Sequence, residues 1–258
     1  MMRKLTSEES KQLLEYWDIA SDDNNGKVLR KRCIRKILEL APEDMNAHLI
    51  LIMLDLDGKN NAEAILGRLV ELEKKAEAKI TKNNLWEDKG EFWLLLATRP
   101  YMKILRCKLE IFKLLNRKQD FIALSERILE LNTNDNLGVR YGLMSTFASI
   151  GDLENALRLY ELYPESSTSF LFPLTYLYFC KGQADTAVQY LQKLHKENKY
   201  ILDYYCDGLN SLENIKNPNI YSPGAESEAV VVLNENLYAF EDKTFRIFVE
   251  KAFLEGAI

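Results

Sequence analysis

The sequence predicts an all-α chain made of stacked helix hairpins, and three observations carry that prediction. Apolar residues recur at the three-and-four spacing of one helix face through nearly the whole chain, with no alternating apolar and polar run. Gly and Pro number only 11 and 6 in 258 residues, too few for a sandwich or barrel that turns every few residues. The phrase Gly151 to Tyr160 returns 31 residues later as Gly182 to Leu191, with Ala five residues after the Gly and a large residue four beyond.

The elements follow in order. Thr6-x-x-Glu9 is a capping box placed just before Leu13, Leu14 and Trp17, so a first helix is expected over about 7–20. Asp22 to Gly26 is a turn cluster, after which Val28, Leu29, Cys33, Ile37 and Leu40 mark a second helix that Pro42 stops. The same cycle continues and divides the chain into units at about 7–42, 43–82, 100–135, 137–164 and 168–198. An interrupting helix with Trp86, Phe92 and Trp93 is expected over 83–99, and a helical cap over 199–258. Within that cap, Val230 to Leu233 could pass for a strand, but Ser222-Pro223 with Glu226 and Glu228 is helix-start chemistry. The whole of 1–258 reads as one elongated domain, with repeats over about 7–82 and 100–198.

Leu143, Phe147, Gly151, Ala156 and Tyr160 in one unit resemble the tetratricopeptide repeat (TPR), as do Leu171, Leu174, Tyr178, Gly182, Ala187, Leu191 and Leu194 in the next. The resemblance implies a right-handed superhelix of helix pairs serving as a non-enzymatic protein- or peptide-binding adaptor. Small Ala lets the paired helices approach, and Gly or Asn accepts the turn geometry. Arg30 and Phe121 stand where Ala is usual and Thr133 where Pro is usual, so irregular curvature is expected there. Phrases at 98–102, 134–141 and 221–229 are similar to bacterial TPR proteins of unassigned function. The cap is similar to the end of the suppression-of-tumorigenicity TPR family, although 198–202 lacks two prolines found there. In TPR folds the first helix of each unit lines a groove. That implies Tyr141 and Ser145 from one unit and Phe172, Tyr176 and Phe179 from the next as candidates for a peptide groove, with burial in the core as the competing reading. The Lys/Asn/Arg set that grips a C-terminal carboxylate in chaperone-binding TPRs is missing from these positions.

Chemistry and charge narrow the function further. With 34 Lys plus Arg against 39 Asp plus Glu, the net charge of −5 gives no reason to expect general attraction to nucleic acid or an anionic membrane. The longest uncharged stretch, Ser166 to Cys180, is shorter than a membrane helix needs, and no apolar stretch follows Met1 to Lys4 as a secretory signal would require. Cys33, Cys107, Cys180 and Cys206 form no CxxC pair, which suggests reduced thiols in the cytoplasm. The Asx-rich segments at 22–26, 55–58 and 132–136 each fail the spacing of a calcium loop, and His48 and His195 have no second ligand candidate at helical spacing. With no phosphate-binding or hydrolase motif either, the expectation is no catalytic residue, no cofactor and no metal. An enzyme without a recognisable motif is the alternative with least support. One charged feature stands out: Lys27, Arg30, Lys31, Arg32, Arg35 and Lys36 form a basic run, whereas 203–258 holds ten acidic and four basic residues. Arg30, Lys31 and Arg35 should project away from the apolar stripe as a solvated face, or meet an acidic partner or the acidic end of another copy.

Overall fold

A computed structural model describes residues 5–208 and 221–254, so the parts of the expected cap at 209–220 and 255–258 lie outside the described residues. Fourteen α-helices and no strand are found among the described residues. The chain divides into two compact units that meet in sequence at Asn136 and Leu137.

The first unit contains α1 (Ser7–Ser21), α2 (Lys27–Leu40), α3 (Met45–Met53), α4 (Ala62–Lys82), α5 (Arg99–Leu114) and α6 (Lys118–Leu131), each packed on the next. The capping box forms as the sequence indicates: Thr6 Oγ1 accepts the Glu9 N–H at 3.2 Å and Glu9 accepts the Thr6 N–H at 2.8 Å. Ala20 then packs against Cys33, Ile34, Ile37 and Ala47, all buried. Arg30 does not wedge this hairpin apart. Its guanidinium reaches back to the turn, to the Ala20 carbonyl at 2.9 Å and Asp23 at 2.6 Å.

The interrupting helix expected over 83–99 does not form. Asn84 adopts a left-handed φ of 56°, a short 3-10 turn covers Leu85–Asp88, and the chain then runs irregularly to α5. Its backbone pairs with the segment after α6 instead: Phe92 N–H donates to the Leu131 carbonyl and Thr133 N–H to the Gly90 carbonyl, both at 2.9 Å. Fully buried Phe92 lies 5.4 Å from the Trp86 ring and 6.3 Å from that of Tyr101, so the aromatics anchor a loop. Clustered aromatics gave the segment its helical look, and helix-ending Asn83 and Asn84 overrule it.

In the second unit, α7 (Val139–Ser149) pairs with α8 (Leu153–Leu162), and α9 (Thr168–Cys180) with α10 (Ala184–Glu197). The described cap holds α11 (Tyr200–Asp207), α12 (Glu226–Glu235), α13 (Tyr238–Glu241) and α14 (Lys243–Leu254). Thus Val230 to Leu233 is helical, as its flanking residues require.

One turn recurs three times. Asn116, Gly151 and Gly182 each close a hairpin's first helix with φ of 56°, 73° and 71°. The next residue's N–H reaches back five positions each time: Arg117 to Phe112, Asp152 to Phe147 and Gln183 to Tyr178, at 2.9, 3.0 and 3.0 Å. These are Schellman closures, which require a left-handed residue at that point. Five residues later Phe121, Ala156 and Ala187 are all buried at the helix contact.

Helices α4, α5 and α6 are also tied by charge. Glu73 and Lys108 pair at 2.5 Å with side chains only 7% and 12% exposed, while Arg127 reaches Glu77 at 2.6 Å. Removing Lys108 would leave the buried Glu73 carboxylate only the longer contact to Arg127, at 3.8 Å, and a buried charge that loses its close partner is costly. Lys108→Met is therefore expected to cost about 3 kcal/mol, and adding Glu73→Leu to recover most of it. A urea-denaturation double-mutant cycle checks this; additive losses would contradict it.

Candidate functional site

The expected groove face on α9 is covered by the chain itself. Phe172 is fully buried, its ring 5.6 Å from Tyr205 and 6.3 Å from Phe245. Tyr176 lies 5.0 Å from both Tyr238 and Phe245, and Phe179 lies 5.2 Å from Phe245 and 5.0 Å from Phe248. Ser145 is 8% exposed and donates to the Glu235 carbonyl at 2.7 Å. These four groove candidates therefore contact the cap, and Phe172 belongs to the core rather than to an open surface. Phe170, Leu171, Phe172, Leu174 and Leu177 are all buried, so α9 needs cover on every side, and the Phe245/Phe248/Val249 stripe of α14 helps supply it. Burial stabilises each such side chain by about 1.5–3 kcal/mol, which favours keeping this cover in place.

The fifth candidate, Tyr141, faces a different feature. A cleft of about 400 Å³ lies between the first turn of α9 and the segment leading into α12, with Tyr141, Glu165, Ser167, Ser169, Tyr221 and Glu228 among its walls. Beneath it, Glu228 is 5% exposed, and one of its carboxylate oxygens accepts three hydrogen bonds. The donors are Thr168 Oγ1 at 3.0 Å, Asn198 Nδ2 at 2.9 Å and the Gly224 N–H at 2.8 Å. A buried carboxylate needs such partners, and here they join the ends of three helices. Gly224 has φ of +74°, and a Cβ there would lie 3.1 Å from the Glu197 carbonyl, so the approach requires glycine. At the rim, the Arg140 guanidinium lies 4.3 Å from the Tyr141 ring centroid and 5.5 Å from that of Tyr163, and pairs with Glu165 at 3.2 Å. Burial, foremost, pushes the phenols of Tyr141 and Tyr221 above their usual value. The cleft thus offers neutral phenols, hydroxyls and carboxylates, hydrogen-bonding and stacking groups among which the Ser167 hydroxyl donates to Glu165 at 3.0 Å. Glu228 and Asn198 were not legible as site residues, because nothing in the sequence places either beside Thr168.

Elsewhere, His48 is bonded to the Pro42 carbonyl at 2.8 Å, and His195 meets the Phe253 ring edge-on. Among the described residues no group of three or more His, Cys, Asp or Glu is arranged to hold a metal ion, and no helix is long and apolar enough to cross a membrane.

No family model matches the chain. No curated protein matches it. Among solved structures, the crystal structure of MamA protein is similar, with a TM-score of 0.46 and 16% identity over 72% of this chain and 92% of that chain.

The basic run is divided by the fold. Arg30 is engaged at its own turn, and Lys31 pairs with Asp55 at 2.5 Å. Arg68 joins the same carboxylate at 2.6 Å, and hydrogen bonds from Lys31 and Arg68 hold the Asp55 pKa down at about 2. Arg35 is exposed, as is Arg32. The Asp55 pairing should stabilise the first unit fully above the ordinary carboxylate pKa, near about 4, and lose that contribution as pH falls toward about 2. NMR titration of Asp55 checks the midpoint, and Asp55→Asn should flatten the fall in urea midpoint across that window. In the second unit, Phe172→Ala is expected to cost about 3–5 kcal/mol in urea denaturation; a loss near zero would place Phe172 back on an open surface.

Proposed function

We propose that this protein is a non-enzymatic scaffold of the TPR type that seats a segment of a partner protein in the cleft beside Tyr141 and Tyr221. The observation that carries this reading is the cleft itself, a concave site of a size that suits a short segment or a few side chains. Its two tyrosines are suited to anchoring, being large, amphipathic and poor in rotamer entropy. The three hairpin closures at Asn116, Gly151 and Gly182 support the TPR-like part of the reading. The chemistry at the site also supports binding, since its carboxylates are engaged by Arg140, Ser167, Thr168 and Asn198. Four free cysteines fit a reducing compartment such as the cytoplasm.

Affinity capture from native lysate, run in parallel with wild-type protein and with Tyr221→Ala, tests this. A partner held by the wild type should be recovered at least tenfold less on the variant while its thermal unfolding stays close to wild type. Equal recovery on a folded variant would rule out the cleft as the seat.

A further inference from the structure

Two helix faces, one in each unit, carry complementary patterns of exposed charge and apolar surface, although on the second the Lys199 ammonium lies 5.0 Å from the Tyr200 ring centroid. On α2, Val28 is 83% and Leu29 44% exposed, and Arg32 and Arg35 continue the same stripe into solvent. Their basic neighbours are engaged, Arg30 by Asp23, Lys31 by Asp55 and Lys36 by Glu39, but Arg32 and Arg35 have no ion-pair partner among the described residues. On α11, Tyr200, Asp203, Tyr204 and Asp207 follow the spacing of one helix face. Asp203 and Asp207 are exposed and likewise unpaired, and the two tyrosines are partly exposed beside them. Exposed Glu226, which accepts the Tyr204 hydroxyl, adds a third carboxylate nearby.

We propose that α2 of one copy docks on α11 of a second copy. Two guanidiniums about one turn apart would face two carboxylates at matching spacing, and the tyrosine rings would cover Val28 and Leu29. A second copy suits the α2 face better than nucleic acid does. Lys27, Arg32 and Arg35, the three cations of the run without an ion pair among the described residues, are few for phosphate binding, which typically engages about 6–10 charges, and the exposed aliphatics would stay uncovered. The chain itself bears the acidic, aromatic counterpart. Because the two faces differ, the contact is heterologous, and it extends into open chains unless its rotation closes a ring. This inference stands apart from the cleft and does not rest on it.

Sedimentation velocity on the full chain across a concentration series tests it. The mean mass should rise with concentration and fall in about 0.5 M salt, where charges are screened within a few ångströms. Arg32→Glu/Arg35→Glu and Asp203→Lys/Asp207→Lys should each weaken self-association at least tenfold, because like charges then meet across the contact. Mixing the two variants should restore association, since each then presents a face complementary to the other. Arg32→Gln/Arg35→Gln provides a milder form of the first variant, and circular dichroism confirms that each is folded. The proposal is overturned by a wild type that stays monomeric up to about 1 mM, by variants that associate like wild type, or by a mixture that fails to recover. Retention of wild-type protein on DNA through Arg32 and Arg35, without self-association, would assign the α2 face to nucleic acid instead.

Discussion

Helix α9 presents the constraint on which the second unit depends, because it has almost no side that water can occupy. Phe170, Leu171, Phe172, Leu174 and Leu177 point in different directions around it and are all buried. An amphipathic helix needs one partner, whereas a helix apolar all round must be enclosed. Helices α7 and α10 enclose it on the repeat side, and the cap supplies the remainder. Phe245 is the centre of that remainder, with Phe172, Tyr176, Phe179 and Tyr205 around it. The surface that a repeat array would leave open for a ligand here becomes core.

With the middle of α9 enclosed, its N-terminal turn remains beside a cleft, and the cap's contribution there is polar. Glu228 gathers Thr168, Asn198 and Gly224 under the cleft, while Tyr141 and Tyr221 stay accessible above it. The internal satisfaction of Glu228 makes this floor rigid, so the groups left open in the cleft are the tyrosines and serines rather than that carboxylate.

Much of the helical architecture was legible because its signals are local. The Thr6–Glu9 box, the stop at Pro42, and the turns at Gly151 and Gly182 rest on groups within a few residues of one another. Asn116 shows the same logic with a different residue, since Asn also tolerates the left-handed conformation. The segment over 83–99 was misleading for the opposite reason. Its pairing partner begins at Leu131, and a helical reading of nearby aromatics cannot anticipate a hydrogen bond across that distance. Among the candidate site residues, Tyr141 meets the cleft, whereas Ser145, Phe172, Tyr176 and Phe179 meet the cap.

By itself, the sequence determined the all-α class, most helix positions, the recurring hairpin turn and the uneven distribution of charge. Those properties depend on spacing, capping and composition, which are read along the chain. The tertiary structure alone decided which apolar faces are enclosed, which of the basic residues are consumed by Asp23, Asp55 and Glu39, and where a cleft remains. An apolar residue on a helix carries the same pattern whether a neighbouring helix or a ligand covers it. Only the position of the covering element separates the two, and that position is set by contacts between residues far apart in sequence.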